Sequence, residues 1–180
     1  MRVSLRTGVT PPRSRAFVTS ASCGVCSADV MTLLPAPDAV LHAPGWHIDR
    51  EVLAALPDAM RRRQRAFDRT GGLHAATLAT ADGELGAVRE DVGRHNAVDK
   101  VIGRALFDGA LPATDRLLVV SGRVSFEIVQ KALAAGCAAV AAVSAPSSLA
   151  VDLARTYGLL LAGLVRGECL NVYSEPELVG

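Results

Sequence analysis

The stretch Leu117-Leu118-Val119-Val120-Ser121-Gly122-Arg123-Val124-Ser125 decides the fold of this chain. Its first four residues are all apolar, which is typical of a strand buried on both faces of a sheet. The small and polar residues behind them predict a short loop, and helical spacing begins directly after Ser125. A buried strand that leads through a short loop into a helix is the repeating unit of an α/β sheet.

The same alternation of strand and helix continues after this unit. We expect a helix at residues 126–135 that ends at Gly136, a strand at 138–143, a helix at 148–157 that ends at Gly158, and a strand at 159–165. The strands are nearly continuous in apolar residues, as parallel strands covered by helices usually are. The pattern predicts a mainly parallel sheet with helices on both faces.

Before this unit the sequence predicts two further helices and a β-hairpin. The expected elements are a helix from Asp49 to Phe67 that Gly71-Gly72 ends, strands at 74–79 and 85–89 joined by a turn at Asp82-Gly83, and an amphipathic helix through 101–107. The hairpin makes the sheet mixed rather than wholly parallel. The arginines between positions 61 and 65 are interpreted as a solvated helix face.

Composition predicts one compact domain. The chain has 180 residues, half of them hydrophobic, and a net charge of only +1. Such balanced charge gives no reason to expect nucleic acid as a partner, and no apolar run reaches the roughly 18–20 residues that a membrane span needs. We therefore expect a cytoplasmic protein with no nucleic-acid and no membrane partner.

Two cysteines lie three positions apart in Ser22-Cys23-Gly24-Val25-Cys26-Ser27. Such a pair can hold part of a metal site, cycle between dithiol and disulfide, or carry a labile sulfur atom. A structural zinc site needs four ligands and usually two such pairs, and this chain has one pair. A thioredoxin-like site needs its pair at a strand-to-helix junction, and these cysteines lie well before the predicted sheet. Sulfur carriage is the least contradicted hypothesis, so no metal ligand is predicted.

A zinc deaminase is a further alternative that the motifs disfavour. Such enzymes combine His-x-Glu with Pro-Cys-x-x-Cys, and the glutamate moves protons for the zinc-bound water. Here His74-Ala75-Ala76 has alanine in place of that glutamate, and no proline precedes Cys23. Deamination is therefore not the expected activity.

Small and polar residues follow three strands of the predicted sheet, at the edge where α/β proteins bind ligands. The residues concerned are Ser121, Gly122, Arg123, Ser125, Ser144, Ser147, Ser148, Arg166, Gly167 and Glu168. Each serine alone is best explained as a helix cap. Together the three strand ends predict a phosphate-binding rim with Arg123 and Arg166 as charged anchors.

A second polar concentration, Gly93-Arg94-His95-Asn96, precedes the helix through 101–107. Helix capping and an ion pair are enough to explain its neighbours Asp99 and Lys100. The four residues themselves hold more hydrogen-bond donors than a cap needs, which indicates a binding role. His95 can move a proton or bind a ligand oxygen.

Five motifs stand in order along the chain: Ser20 to Cys26, Thr70 to Ala76, Glu90 to Lys100, Ser121 to Glu127 and Val143 to Ala150. Together they closely resemble the FdhD family, the sulfur carrier proteins, or sulfurtransferases, required for formate dehydrogenase activity. The resemblance covers the chain from about Phe17 onward. One departure is Ser27, where the family usually has glycine.

The resemblance implies a specific activity. Members take sulfur from a cysteine desulfurase as a persulfide and pass it to the molybdenum cofactor, bis-molybdopterin guanine dinucleotide, before its insertion into formate dehydrogenase. They act as homodimers, and their main domain is similar to the cytidine deaminase fold. By position, Cys23 carries the persulfide and Cys26 is its partner. The loop after the last strand matches the family's cofactor-binding segment, with residues Leu164, Val165, Arg166, Gly167, Glu168 and Cys169.

We accordingly divide the chain into an N-terminal segment, residues 1–45, which carries the cysteine pair, and an α/β cofactor-binding domain, residues 46–180. The segment is expected to be the remnant of a longer N-terminal region, since members of the family usually carry one. Two alternatives to sulfur carriage remain at this stage: a chaperone that binds the cofactor without transferring sulfur, and a zinc-dependent hydrolase.

Overall fold

The structure, a computed structural model, describes residues 41–180. The helices are α1 (Arg50–Arg61), α2 (Arg65–Thr70), α3 (Arg94–Phe107), α4 (Phe126–Ala134) and α5 (Ser148–Thr156). The strands are β1 (His74–Thr80), β2 (Arg89–Asp91), β3 (Arg116–Val120), β4 (Ala139–Ala142), β5 (Leu160–Arg166) and β6 (Cys169–Ser174), and a short 3-10 helix spans Pro176–Leu178.

The six strands form one mixed sheet in the order β2-β1-β3-β4-β5-β6. The three central strands β3, β4 and β5 are parallel, whereas β1, β2 and β6 join antiparallel to their neighbours. This confirms the predicted mixed α/β fold with parallel strands at its centre. The likeness to the cytidine deaminase fold stays a prediction.

Helices cover both faces of the sheet, as predicted. Successive residues of β3 alternate between the two faces: Leu117 and Val119 pack with α1, and Leu118 and Val120 pack with α3, α4 and α5. Both sets are almost wholly buried. The continuous apolar run at 117–120 therefore reflects two separate cores on either side of one strand.

Three element predictions near the site need correction. The helix expected from Asp49 to Phe67 is two helices, because the chain turns at residues 62–64 and buries Gln64. The second hairpin strand lies at Arg89–Asp91 rather than 85–89, since Leu85 makes only an isolated bridge to Ala79. The sequence at residues 62–64 and at the start of β2 has no glycine or proline pair that would have indicated these boundaries.

The last correction concerns the end of the sheet. β5 is not the last strand, because β6 pairs with it antiparallel, with Arg166 opposite Cys169. Residues 164–169 are thus a β-hairpin and not a loop after the final strand. Gly167 allows the tight turn with a φ of 55°. Arg50 Nη2 donates a 2.7 Å hydrogen bond to the carbonyl of Glu168 in the same turn.

The parallel strands place their carboxyl ends at one edge of the sheet. β1 is antiparallel to β3, so that its first residue, His74, lies at the same edge as Ser121. The loops after β3 and β4 are joined by a parallel bridge between Val124 and Pro146. Among residues 41–180, no helix has the length and apolar character to cross a membrane.

Candidate functional site

A cavity of about 520 Å³ opens at the carboxyl edge of the sheet, between α1, α2 and the ends of β3 and β5. We call it the site cavity. Its lining residues are Pro57, Asp58, Met60, Arg61, Gln64, Phe67, Gly71, Gly72, Leu73, His74, Ser121, Val143, Val165, Arg166 and Gly167. Its volume lies within the range of about 300–1,000 Å³ that is usual for small-molecule sites.

Four predicted site residues line this cavity: Ser121, Val165, Arg166 and Gly167. The hydroxyl oxygen of Ser121 accepts a 2.8 Å hydrogen bond from the backbone N–H of Ala75, which leaves its own proton to donate. Arg166 Nε donates to the carbonyl of Val143 at 3.2 Å, so the end of β5 is tied to the loop after β4. The structure therefore brings a hydroxyl and a guanidinium to one binding space.

Gly122 lies beside the cavity and has no room for a side chain. A Cβ built on it would lie 3.1 Å from Nδ1 of His74 and 3.6 Å from Cδ of Arg94. Arg94 itself has a buried Nε with no hydrogen-bond partner within residues 41–180. Gly122 thus allows an imidazole and a guanidinium side chain to pack against the loop after β3.

Sequence reasoning did not assign Gln64, Phe67, Gly71, Gly72 and His74 to the site. The last three belong to the motif Thr70 to Ala76, which contributed to the family resemblance and to the argument against a deaminase but was not assigned to binding. That motif was the available signal. Gln64 left no such signal, because its burial follows from the turn between α1 and α2.

The start of α3 forms a tight polar network around Asp91. Its carboxylate accepts hydrogen bonds from Lys100, from the backbone N–H of Gly93 at 2.9 Å, and from the Asn96 amide at 3.0 Å. These donors, Lys100 first, lower the pKa of Asp91 from 3.8 to about 2. Gly93 and Asn96 therefore order the entry to α3, and neither lines the site cavity.

His95 and Ser125 form a second pair on the same side of the sheet as α3 and α4. His95 Nε2 lies 2.9 Å from Ser125 Oγ and 3.6 Å from the carboxylate of Glu127. Burial lowers the pKa of His95, and the charge of Glu127 opposes that shift. Ser125 occupies the N-cap position of α4 but makes no side-chain cap bond, because its hydroxyl is paired with the imidazole.

The remaining predicted rim residues have separate surroundings. Ser147 caps α5, since its hydroxyl accepts from Ala150 N–H at 3.2 Å, which confirms the structural explanation for this serine. Ser148 is exposed, and the carbonyl of Ser144 accepts from Leu164 N–H at 3.3 Å. Arg123 is exposed and does not line the site cavity.

The cysteines fall into two groups. Cys137 is fully buried, and burial raises the pKa of its thiol to about 12, whereas Cys169 is exposed at the β5–β6 turn next to Glu168. Cys137 is therefore part of the hydrophobic core. Cys23 and Cys26, the predicted sulfur-carrying pair, lie outside the described residues.

Comparison with known proteins agrees with the motifs. The model of the FdhD/NarQ family matches residues 1–179. Among curated relatives, the sulfur carrier protein FdhD of Streptomyces coelicolor is 55% identical over 92% of this chain, and that of Streptomyces avermitilis is 54% identical over 89%. The protein of the same name from Sulfolobus acidocaldarius is 43% identical over 92%.

These alignments cover only part of the relatives. The chain spans 57% of the S. avermitilis protein and 59% of the S. coelicolor protein. A crystal structure described as a formate dehydrogenase accessory protein, from Desulfotalea psychrophila, superimposes with a TM-score of 0.74 and 27% identity. That match covers 86% of this chain and 63% of the other. From the family model and the identity of these relatives, we conclude that the chain belongs to the FdhD/NarQ family.

Proposed function

We propose that this chain is a sulfur carrier for the molybdenum cofactor. It takes sulfur from a cysteine desulfurase as a persulfide on Cys23 and passes it to bis-molybdopterin guanine dinucleotide, before that cofactor enters formate dehydrogenase. The observation that carries the proposal is the site cavity, where Ser121 and Arg166 lie beside apolar and aromatic walls. Hydroxyl and guanidinium donors suit phosphate oxygens, and apolar walls suit heterocyclic rings.

Sulfur moves in this scheme by exchange of sulfur–sulfur bonds, so no external oxidant is needed. The Cys23 thiolate attacks the outer sulfur of the desulfurase persulfide; the donor's sulfur–sulfur bond breaks, a new one forms on Cys23, and the desulfurase cysteine leaves as a thiolate. In delivery, the Cys26 thiolate attacks Sγ of Cys23 and the outer sulfur leaves as hydrosulfide for the cofactor. The resulting Cys23–Cys26 disulfide is returned to two thiols by a dithiol reductant.

Three protein partners belong to this proposal: the desulfurase, formate dehydrogenase and a second copy of the chain in a homodimer. The comparisons support the dehydrogenase, because a structural relative is described as a formate dehydrogenase accessory protein, and relatives more than 50% identical are named sulfur carrier proteins. The desulfurase and the second copy of the chain rest on the family resemblance alone. The molybdenum cofactor is cargo in this scheme and not a resident group.

Mass spectrometry of the intact protein tests the first transfer. After incubation with a cysteine desulfurase and cysteine, we expect one added sulfur atom on the wild type and none on the double variant Cys23→Ala/Cys26→Ala. Cys169→Ala is the matched control and should accept sulfur normally, since that exposed thiol lies outside the pair. A sulfur adduct that survives in the double variant would refute the proposal.

Calorimetry with GDP tests the cargo site. Arg166 lines the cavity and Arg123 does not, so Arg166→Ala should weaken GDP binding by about tenfold, the loss of one charge-assisted hydrogen bond, while Arg123→Ala changes it little. Equal affinities in all three proteins would contradict the assignment of the cavity.

A complementation experiment, with formate dehydrogenase activity as the readout, distinguishes sulfur transfer from cofactor binding without transfer. A cell that lacks its own carrier should regain activity with the wild type and not with Cys23→Ala. If Cys23→Ala restores activity fully, the chain is a cofactor chaperone and the sulfur-transfer part of the proposal fails.

A further inference from the structure

Leu164 on β5 adopts an unusual backbone conformation. Its φ is 54°, and within residues 41–180 the only other non-glycine residue with a positive φ is Glu175. The left-handed region crowds the Cβ of an L-residue, so a leucine there is strained and stays only where the surrounding structure holds it. Its side chain does not explain the strain, because Leu164 is not among the described residues that line the site cavity or form the two cores.

A β-bulge surrounds Leu164. Gly163 pairs with Asn171 on β6. The next pair is Arg166 with Cys169, so three steps along β5 match two steps along β6. One residue of β5 is therefore extra, as in a β-bulge. Because side chains alternate between the faces of a sheet, one extra residue reverses the faces of the residues that follow it.

The packing of β5 shows this reversal. Leu160 and Ala162 belong to the core that packs with α1. Leu161 belongs to the core on the other face. Regular alternation would place residue 164 on the α1 side and Val165 on the opposite side. Val165 is nevertheless fully buried in the α1 core and lines the site cavity. The bulge thus brings an apolar side chain to this wall of the cavity.

The bulge also directs Arg166. Without the extra residue, alternation would point its guanidinium into the α1 core. Instead, Arg166 lines the site cavity, and its Nε donates to the carbonyl of Val143 at 3.2 Å. The N–H of Leu164 donates to the next carbonyl, that of Ser144, at 3.3 Å. The loop after β4 therefore holds both the strained backbone and the guanidinium.

Gly163 lets this loop lie directly on β5. A Cβ at Gly163 would be 2.9 Å from Cδ of Pro146 and 3.2 Å from the carbonyl oxygen of Ser144. The contact leaves the neighbouring Leu164 little space in which to return to an extended conformation. The loop after β4 is thus the surrounding structure that maintains the strain.

We propose that Leu164 is a positioning residue of the site cavity and acts through its backbone rather than its side chain. Its left-handed conformation forms the bulge, which places Val165 in the cavity wall and aims Arg166 at the carbonyl of Val143. A residue that adopts a positive φ easily should serve as well as leucine, and one that avoids it should not. The inference rests on the proposed function only in the use of GDP as a probe for the cargo.

Urea unfolding tests whether the backbone at Leu164 is strained. Glycine and alanine both remove the leucine side chain, but glycine accepts a positive φ without strain. Leu164→Gly should therefore unfold at a higher urea concentration than Leu164→Ala. The matched control is Leu170, a partly buried leucine on β6 whose φ is not positive. Leu170→Gly should unfold at a lower urea concentration than Leu170→Ala, because glycine weakens a regular strand.

NMR of the ligand-free protein tests the link to Arg166. The signal of its Nε–H is identified by its loss in Arg166→Ala, and its exchange with solvent reports the hydrogen bond to Val143. Leu164→Val should speed this exchange about fivefold, the loss of one hydrogen bond, because a β-branched residue is disfavoured at positive φ. Leu164→Gly and the control Leu170→Val should exchange at the wild-type rate.

Calorimetry with GDP tests the consequence for binding. Leu164→Gly and Leu170→Val should bind GDP as the wild type does. Leu164→Val should bind about tenfold more weakly, the loss also expected for Arg166→Ala. The double variant Leu164→Val/Arg166→Ala should bind little more weakly than Arg166→Ala alone, because the two changes remove the same contact.

The inference is overturned if Leu164→Gly unfolds more easily than Leu164→Ala, or if Leu164→Val leaves the exchange of Arg166 and the GDP affinity unchanged. Equal losses of GDP affinity in Leu164→Gly and Leu164→Val would also overturn it, because the leucine side chain would then be the group that matters. If the wild type does not bind GDP, the cargo-site assignment in the proposed function fails, and unfolding and exchange still decide the role of Leu164. Persulfide formation on Cys23 should be normal in every variant.

Discussion

Gly122 shows how closely the site depends on single atoms. A Cβ at this position would lie 3.1 Å from Nδ1 and 3.3 Å from Cε1 of His74. Gly122→Ala should therefore displace the imidazole and lower the free energy of unfolding by about 1–3 kcal/mol, the usual cost of overpacking. Urea unfolding measures this loss.

The control for Gly122→Ala is Gly103→Ala in the middle of α3. A Cβ at Gly103 meets no atom within 4 Å, and alanine favours a helix over glycine. This second variant should gain about 0.5–1 kcal/mol. Equal effects at the two glycines would show that close packing against His74 is not what fixes Gly122.

Asp91 predicts a pH dependence in the acid range. Its folded-state pKa, about 2, is lower than the ordinary value of 3.8, so its contribution to stability is complete above about pH 4 and is lost as the pH falls towards 2. Asp91→Asn should remove this dependence, and the stability difference between wild type and variant should shrink from pH 5 to pH 2. Urea titrations at several pH values measure it, and a constant difference would contradict the role given to Lys100.

The sequence predicted which polar residues line the site cavity only where a strand pattern fixed their position in the sheet. Arg166 and Ser121 follow predicted strands, and the structure places both in one cavity. Ser125 and Ser147 occupy equivalent N-cap positions, yet only Ser147 caps its helix. The difference depends on His95, thirty residues away, which no local pattern brings next to Ser125.

At the scale of elements, the start of helix α2 is held by a side chain from strand β2. The carboxylate of Glu90 on β2 accepts from the backbone N–H groups of Ala66 and Phe67 at 2.9 and 2.7 Å. Glu90→Ala should lower the free energy of unfolding by about 1–2 kcal/mol, since two helix-end donors lose their acceptor. Because α2 forms one wall of the site cavity, GDP affinity measured by calorimetry should fall as well.

Glu84→Ala serves as the control for this variant. Glu84 is exposed in the β1–β2 turn, and only its backbone forms hydrogen bonds within residues 41–180. Its substitution should change stability by less than about 0.5 kcal/mol. If Glu90→Ala behaves in the same way, α2 is held by packing alone.

Strands and helices with a strong apolar pattern were predicted within a few residues, and the exceptions have physical reasons. The helices that end at Gly136 and Gly158 do so because these glycines adopt positive φ values of 70° and 65°. β6 was missed because its side chains are only partly buried at the edge of the sheet, so its apolar pattern is weak. Pairing with β5, not local sequence, makes it a strand.

At the scale of the whole molecule, residues 178–180 form backbone hydrogen bonds with the segment at the start of α1. Ile48 N–H donates to Leu178 O at 2.9 Å, Gly180 N–H donates to Ile48 O at 3.1 Å, and Arg50 N–H donates to Gly180 O at 2.8 Å. Removal of residues 176–180 should lower the free energy of unfolding by about 2–4 kcal/mol, from lost hydrogen bonds and lost apolar contact. Thermal and urea unfolding both measure it.

Gly180→Ala is the matched control, because a Cβ there would make an ordinary contact of 3.7 Å with Asp49. It keeps the backbone hydrogen bonds and should change stability by less than about 0.5 kcal/mol. A truncated chain as stable as this variant would mean that α1 holds its place without the last residues.

The hydrogen bond from Arg50 to the carbonyl of Glu168 joins the start of α1 to the β5–β6 turn. Two walls of the site cavity, Met60 on α1 and Gly167 in the turn, are therefore linked through a contact outside the cavity itself. Under the proposed function, we expect this link to slow the separation of the two walls and so to lengthen the residence time of bound cargo. A contact remote from the cargo would then help to set how long sulfur delivery can wait for the dehydrogenase.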